Sequence, residues 1–162
     1  MILVVGLGNP GKMHESDRHN AGFLALDALA KEHGFPPFKF SVESKALISE
    51  SILGSAKVVL AKPQTFMNNS GVSVKSLMKT TMKTKPSLVV VHDDIDLPLG
   101  SVRVSKGRGS AGHKGVQSVM DALKTKDFTR IRIGIQPRAG KPENIEDFVL
   151  QKFSSAELSI LQ

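Results

Sequence analysis

Short apolar runs alternate along this chain with segments of helical periodicity, and no other feature limits its fold so strongly. Residues 2–5, 58–61 and 88–91 are continuous apolar runs, as expected of strands buried on both faces. Residues 101–105 and 130–135 alternate apolar and polar side chains, as half-buried strands do. Strands that alternate with helices predict an α/β fold, with three layers in which helices cover both faces of a sheet.

The predicted helices lie between and after these strands. The clearest begins at residue 20, carries Phe23 and several leucines on one face, and is followed by Gly34 as a C-cap. A capping sequence at residues 154–157 opens a last helix, which we expect to be incomplete. Helices are predicted at residues 20–33, 70–82 and 115–123, and from residue 154 onward. No long linker divides these elements, so we expect a single domain covering residues 1–162.

Several classes of protein are disfavoured by what the sequence lacks. The chain has no cysteine, so neither disulfides nor a cysteine-ligated zinc ion can be invoked. It has no apolar run of about 18 residues, which a membrane-spanning helix needs. Its first residues also lack the charged segment of a signal peptide. We therefore expect a cytoplasmic protein that does not enter a membrane.

The positive charge of the chain is concentrated in its second half. The net charge is +7, and residues 101–141 contain ten Lys or Arg against two Asp. A basic region of this size attracts polyanions and makes binding depend on salt. A solvated lysine-rich surface has the same composition, so charge alone leaves both interpretations open. Trp and Tyr are absent, so an extended base-stacking platform is not expected.

The first predicted strand ends in Gly-Leu-Gly-Asn-Pro-Gly at residues 6–11. This spacing matches a dinucleotide-binding loop, which requires a helix to begin at the third glycine and an acidic residue about 20 residues later. Here a polar stretch separates Gly11 from the first helix, and no strand ends in a suitably placed acid. We favour a tight loop that presents Asn9, although a simple turn with a capping Asn remains possible.

A histidine and a carboxylate are placed to act together. His19 immediately precedes the first helix, ten residues after Asn9, and Asp93 follows a buried apolar run. A carboxylate that accepts from one imidazole nitrogen fixes the tautomer and favours the imidazolium that forms when the other nitrogen takes a proton. This pair predicts a general base for water. We expect Asp96 instead to anchor the turn at residues 98–100.

Two further segments supply polar and basic groups. Residues 62–71 contain amides beside Phe66 and Met67, predicted to be exposed, which suits a peptide-like ligand; a helix N-cap with both apolar side chains buried is the alternative. Residues 106–115 form a basic, glycine-rich loop before a helix and could bind phosphates, although a flexible loop without a ligand has the same composition.

Together these segments resemble bacterial peptidyl-tRNA hydrolase. The likeness follows the same order over nearly the whole chain, at residues 6–11, 18–23, 66–71, 92–98, 112–115 and 132–135. It implies a mixed, twisted sheet and an esterase that separates a peptide from the 3′ end of tRNA. The implied enzyme needs no metal or other cofactor, and we expect a monomer without an obligate protein partner.

The resemblance also implies residue roles. His19 would be the catalytic base and Asp93 its partner. The implied substrate contacts are Asn9, Phe66, Met67, Asn68, His113 and Lys114. The implied phosphate contacts are Lys106 and Arg132, to which the basic loop adds Arg108.

Three positions depart from the family pattern. The family usually has Tyr at the position of His14, Thr at that of Asp17 and Asn at that of Lys114. Lys114 could therefore contact either the peptide or a phosphate. The family chain also usually continues beyond the last helix begun here.

Three rival functions remain. A non-catalytic RNA-binding relative would keep the fold without the chemistry, but Asn9, His19, Asn68 and Asp93 are all present. A metal-dependent hydrolase could use His19, His92 and residues 93–96, although the histidine spacing matches no HExxH-type site. A nucleotide-dependent oxidoreductase would require the dinucleotide interpretation of residues 6–11.

Overall fold

The computed structural model describes residues 1–80 and 86–162, whose strands form a single seven-stranded mixed sheet. The strands are β1 (Ile2–Gly6), β2 (Lys39–Ser41), β3 (Ala46–Leu53), β4 (Ala56–Pro63), β5 (Ser87–Pro98), β6 (Val102–Lys106) and β7 (Thr129–Gln136). The helices are α1 (Ala21–Glu32), α2 (Ser70–Thr80), α3 (Lys114–Leu123), α4 (Ile145–Val149) and α5 (Ser155–Leu161). Among the described residues, no helix combines the length and apolar character needed to cross a bilayer.

The sheet has the strand order β2-β3-β4-β1-β5-β7-β6. Its four central strands, β4, β1, β5 and β7, run parallel, whereas β2, β3 and β6 are antiparallel to their neighbours. The carboxyl ends of the parallel strands therefore meet at one edge, where ligands usually bind in such sheets. The predicted mixed α/β fold is confirmed.

Helices cover both faces of the sheet, as the pattern of apolar residues predicts. On β1, Leu3 and Val5 point to the face covered by α2 and α3, and Val4 points to the face covered by α1, α4 and α5. This alternation explains why the central strands read as continuous apolar runs: each strand contributes to two cores, so neither of its faces can be polar.

Two glycines fix how closely α1 approaches the sheet. A Cβ added at Gly22 would lie 2.3 Å from the backbone oxygen of Val91 and 2.6 Å from the backbone nitrogen of Leu7. One added at Gly6 would lie 2.4 Å from the backbone oxygen of Gly22. The first turn of α1 therefore lies directly against β1 and β5. This contact sets the position of His19, two residues before α1 begins.

Several elements differ from the sequence predictions. The three-residue edge strand β2, the eight-residue strand β3 beside it and the five-residue helix α4 were not predicted, and residues 81–82 of the predicted helix 70–82 lie outside the described residues. Asp93 lies inside β5, which continues to Pro98. However, β1 ends opposite Val91, so Asp93 lies beyond the end of its neighbour and opens to the same edge.

The expectation for Asp96 is wrong. Its carboxylate accepts from the Lys141 ammonium at 2.8 Å, and the turn at residues 98–100 is held by Ser101 instead. The Ser101 hydroxyl donates to the backbone oxygen of Pro98 at 2.6 Å, and its backbone N–H donates to the same oxygen at 3.0 Å.

The contact at Gly22 gives a stability prediction. Gly22→Ala should lower the free energy of unfolding by about 1–3 kcal/mol, because the methyl group must displace backbone rather than a flexible side chain. Gly109→Ala is the control, since a Cβ there meets no atom within 4 Å. Urea unfolding measures both variants. Equal stability of the two variants would contradict the proposed close contact.

Candidate active site

A cleft of about 600 Å³ opens at the carboxyl edge of the sheet. It brings together groups from five separate parts of the chain: the loop after β1, the turn before α1, the turn after β4, strand β5 and the start of α3. Helix α4 lines it as well. The predicted site residues that line this cleft are Asn9, His19, Phe66, Met67, Asn68, Asp93, His113 and Lys114.

Asp93 is the centre of the site. Its carboxylate is 3 % exposed and accepts from two imidazoles. His19 Nδ1 lies 2.9 Å from Oδ2 and 3.0 Å from Oδ1, and His113 Nε2 lies 2.8 Å from Oδ1. The predicted pairing of His19 with Asp93 is present. The contact with His113 was not predicted, because the resemblance implied only a substrate contact for that residue.

The hydrogen bonds define the tautomers of the two imidazoles. An ionised carboxylate only accepts, so His19 Nδ1 carries the proton and Nε2 is left with a lone pair. His113 Nδ1 accepts from the backbone N–H of Val116 at 3.2 Å, so its proton lies on Nε2. His19 can therefore take a proton, whereas His113 is engaged at both ring nitrogens.

The electrostatics follow from burial and pairing. Burial lowers the pKa of His19, but the charge and hydrogen bonds of Asp93 outweigh it, and the net pKa lies above the ordinary 6.5. Burial alone would raise the pKa of Asp93, but the charges and hydrogen bonds of His19 and His113 hold it well below its usual range. The carboxylate is therefore ionised and favours the cationic form of His19.

His92 lies behind the pair as a neutral group. Burial, followed by the charge of His113, lowers the pKa of His92 to about 3. Its Nδ1 donates to the backbone oxygen of Asp93 at 2.7 Å, and its ring packs edge-on against His113 with centroids 4.7 Å apart. His92 therefore buttresses His113.

Asn20 joins the Asn9 loop to the turn that carries His19. Its side-chain oxygen accepts from the backbone N–H of Asn9, and its amide donates to the backbone oxygen of Asn9, both at 2.9 Å. The Asn9 side-chain oxygen accepts from the backbone N–H of Met67 at 2.8 Å. This contact directs the NH₂ group of Asn9 away from Met67 as a remaining donor. Sequence reasoning did not assign Asn20 a role.

The segment after β4 divides into an exposed and a buried part. Phe66 is 60 % exposed and Met67 is 4 % exposed, so the prediction of an exposed Phe-Met pair is wrong for Met67. A Cβ at Gly115 would lie 2.4 Å from Met67 Sδ, which shows how closely α3 packs on this residue. Asn68 is exposed at the cleft.

The turn that carries His19 is braced by the last part of the chain. Asp17, 1 % exposed, binds the ammonium of Lys152 and lies 2.6 Å from His14 Nδ1. Arg18 donates to both carboxylate oxygens of Glu157 at 3.1 Å. At two positions that depart from the family pattern, His14 and Asp17, the chain thus contributes to a cluster of polar and charged side chains.

The basic residues occupy different environments. Arg132 Nε donates to Asp94 at 2.7 Å, so its charge is already paired. Lys106 is 64 % exposed and lies 3.4 Å from Asp127, and Arg108 is exposed. Arg130, which the sequence did not single out, is 4 % exposed and donates to the backbone oxygen of Gly109, so it shapes the basic loop.

His19, Asp93 and His113 also meet the distance criterion for a metal site, because one ligand atom from each lies within 4.8 Å of the others. Ligands of a tetrahedral zinc ion stand roughly 3.3 Å apart. Asp93 lies 2.8 Å and 2.9 Å from the two imidazoles, which are hydrogen-bond distances. His92, which the metal hypothesis used, binds a backbone oxygen instead. The loop at residues 6–11 also differs from a dinucleotide site, since α1 begins only at Ala21.

Known proteins share both the sequence and the fold of this chain. A family model described as Peptidyl-tRNA hydrolase matches residues 3–162. The chain belongs to the peptidyl-tRNA hydrolase family. The peptidyl-tRNA hydrolase of Thermodesulfovibrio yellowstonii is 42 % identical over 166 residues, covering 100 % of this chain and 85 % of the relative. That of Mycoplasma capricolum is 43 % identical over 165 residues, covering 100 % and 86 %.

Solved structures agree with this membership. The crystal structure of peptidyl-tRNA hydrolase from Acinetobacter baumannii matches with a TM-score of 0.89 at 33 % identity, covering 99 % of this chain and 81 % of that chain. The resemblance to the peptidyl-tRNA hydrolase family drawn from the sequence motifs is thereby confirmed.

The electrostatic account of His19 can be tested without any substrate. In an NMR titration, the imidazole of His19 should titrate above pKa 6.5, and Asp93→Asn should move that pKa downward, because burial is then opposed only by the charge of Asp17. His92 should keep neutral-form shifts from about pH 5 to about pH 9. Asp127→Asn, which removes an exposed carboxylate, is the matched control. An unchanged His19 pKa in Asp93→Asn would rule out the proposed coupling.

Proposed function

We propose that this peptidyl-tRNA hydrolase uses His19 as the general base that activates water against the ester bond between the peptide and the 3′ end of tRNA. The observation that carries the proposal is the Nδ1–Asp93 contact, which leaves the lone pair of His19 on Nε2. Water held at Nε2 loses a proton to the imidazole as its oxygen attacks the ester carbonyl. The resulting imidazolium is stabilised by Asp93 and can return the proton to the departing ribose oxygen.

The amides of the cleft would stabilise the oxyanion. The NH₂ group of Asn9 is a donor whose orientation is fixed by Met67, and Asn68 supplies a second amide at the cleft. Neutral donors held in advance stabilise a developing negative charge without reorganisation in the transition state. Phe66 offers an exposed ring to an apolar group of the substrate. Met67 is buried in the wall of the cleft, where it packs against α3.

The exposed cations would bind the tRNA backbone. Lys106 and Arg108 are the best placed, because both are exposed and Lys106 has only an exposed carboxylate as its partner. Arg132 would first have to exchange its contact with Asp94 for a phosphate. We propose that the enzyme works in the cytoplasm, because its substrate arises during translation, and that it acts as a monomer, since one chain supplies a base, its carboxylate and the amides needed for the reaction.

The chemical role predicts a large loss from a small change. His19→Gln should lower kcat by about 10²–10⁴-fold, the usual contribution of proton transfer. Asp93→Asn should cost less, because the base remains but loses its orientation and support. Hydrolysis of N-acetyl-aminoacyl-tRNA measures both, with circular dichroism to confirm folding. His33→Gln changes an exposed histidine at the end of α1 and serves as the control.

Two outcomes would contradict this mechanism. If folded His19→Gln hydrolyses the ester as fast as the parent protein, His19 is not the general base. Binding of tRNA by the unaltered chain without any ester hydrolysis would instead favour the non-catalytic RNA-binding alternative.

The phosphate role predicts an effect on affinity and salt dependence. Lys106→Ala and Arg108→Ala should each raise KM for whole tRNA substrates and reduce the slope of log K against log salt by about 0.7–0.9. The rate at which each variant hydrolyses a short nucleotide ester should equal that of the parent protein. Lys57→Ala is the matched control, because Lys57 is also exposed and also pairs with a carboxylate, Glu50, at 3.0 Å. Equal losses on whole tRNA and on the short ester would argue against phosphate binding.

A further inference from the structure

Every carboxylate that lines the cleft already has a partner. Four acidic residues line it, and the carboxylate of each lies within 3.0 Å of a cationic or imidazole nitrogen. The pairs are Asp93 with His19 and His113, Asp94 with Arg132, Asp96 with Lys141, and Glu146 with Lys114. Among the cleft residues that the structure describes, no carboxylate is left to receive a positively charged group of the substrate.

The pair of Lys114 and Glu146 differs from the others in its position. Lys114 is the first residue of α3 and Glu146 belongs to α4, so their contact at 2.9 Å bridges two elements that line the cleft. Both side chains are exposed, at 62 % and 76 %. A substrate can therefore reach the Lys114 ammonium group, while the Glu146 carboxylate is already paired with it.

Lys114 lines the same cleft as His19 and Asp93, and its ammonium group lies near enough to His19 to oppose protonation of that imidazole. It follows His113, whose ring centroid lies 4.9 Å from that of His19 and whose Nε2 binds Asp93. In an aminoacyl ester the α-nitrogen is two bonds from the carbonyl carbon that water attacks. An ammonium group on that nitrogen would therefore lie in the same cleft as the Lys114 side chain, close to His19 and Asp93.

We propose that Lys114, held by Glu146, is a specificity-determining residue whose ammonium group rejects esters with a free α-ammonium and admits those whose α-nitrogen is neutral. The inference rests on the proposed function, since it names the group that restricts that hydrolysis to N-blocked substrates. The entering ammonium group would meet the positive charge of Lys114 and neutral amides. The carboxylates of the cleft would already be paired with cations or imidazoles of the protein.

The magnitude follows from two exposed charges near one another. If the Lys114 ammonium and the α-ammonium of the substrate stand about 7 Å apart, in surroundings between protein and water in polarity, their repulsion slows hydrolysis of the aminoacyl ester by about fivefold relative to a neutral ester. Salt weakens the effect, because the Debye length falls to about 3 Å at 1 M. A structural role of Lys114 would change both substrates equally, so the ratio between them is the informative quantity.

The experiment compares two esters of matched shape on the full chain. One is an aminoacyl-tRNA and the other is the α-hydroxyacyl-tRNA with the same side chain, which replaces the ammonium by a hydroxyl. At about pH 6.5 the α-amino group, with an ordinary pKa of about 7.7–8.0, is protonated. The ratio of kcat/KM for the hydroxyacyl ester to that for the aminoacyl ester is measured for each variant, at low and high salt.

Lys114→Met should lower this ratio by about fivefold, because it removes the repulsion and uncovers the Glu146 carboxylate. Glu146→Gln should raise the ratio, because it leaves the ammonium without its partner, and Lys114→Arg should preserve it. Lys141→Met is the matched control: it removes a cation from the same cleft, but its partner Asp96 lies three residues beyond Asp93, about 10 Å along β5. The ratio should change by less than about twofold in this control.

The outcomes separate the two proposals. If the unaltered chain hydrolyses the hydroxyacyl ester and Lys114→Met leaves the ratio unchanged, the specificity role is overturned while the proposed function stands. The same holds if Lys141→Met lowers the ratio as much as Lys114→Met does. If the unaltered chain hydrolyses neither the hydroxyacyl ester nor an N-acetyl-aminoacyl-tRNA, the proposed function itself fails.

Discussion

The site depends on one buried carboxylate that accepts hydrogen bonds from two imidazoles. Removing an ion from water costs several kcal/mol, roughly, even after the protein relaxes. Asp93 recovers this through short contacts with His19 and His113. The two histidines come from the turn before α1 and from the N-cap of α3, so satisfying the carboxylate also fixes the relative positions of these two elements. The two helices pack against opposite faces of the sheet, and this packing also holds the two histidines in position around Asp93.

Much of this arrangement could be predicted from the sequence. Five strands, the first helix with its Gly34 C-cap and the Ser154 capping box are local patterns, and the structure contains them all. The pairing of His19 with Asp93 followed from strand and helix positions. Local patterns could not predict how the elements pack. Met67 is buried because α3 lies against it, and His113 reaches Asp93 because it is the N-cap of α3. Strand β2 was missed because it is only three residues long, and β3 was missed because its burial does not alternate residue by residue.

The cations of the chain serve two different purposes. Some are locked into the fold: Arg18 binds Glu157 and stacks over Phe148 at 4.4 Å, and Arg130 holds the backbone of the glycine-rich loop. Others, such as Lys106, remain exposed with weak partners. A net charge of +7 therefore overstates the charge available to a polyanion. Composition indicated an electrostatic surface, but only the pairing pattern separates binding cations from structural ones.

The bracing of the His19 turn has a consequence for how the enzyme acquires its activity. Arg18 bonds to Lys152 and Glu157 across 134 and 139 residues of sequence, among the longest separations between partners in the fold. Contacts of such high order form late, because the loop that they close is entropically costly. A nascent chain that has not yet released residue 157 from the ribosome would hold the Asn9 loop and β5 but lack the brace for its base. The turn that carries His19 therefore gains this brace only after residue 157 has left the ribosome, so the support of the base depends on a segment made long after the base itself.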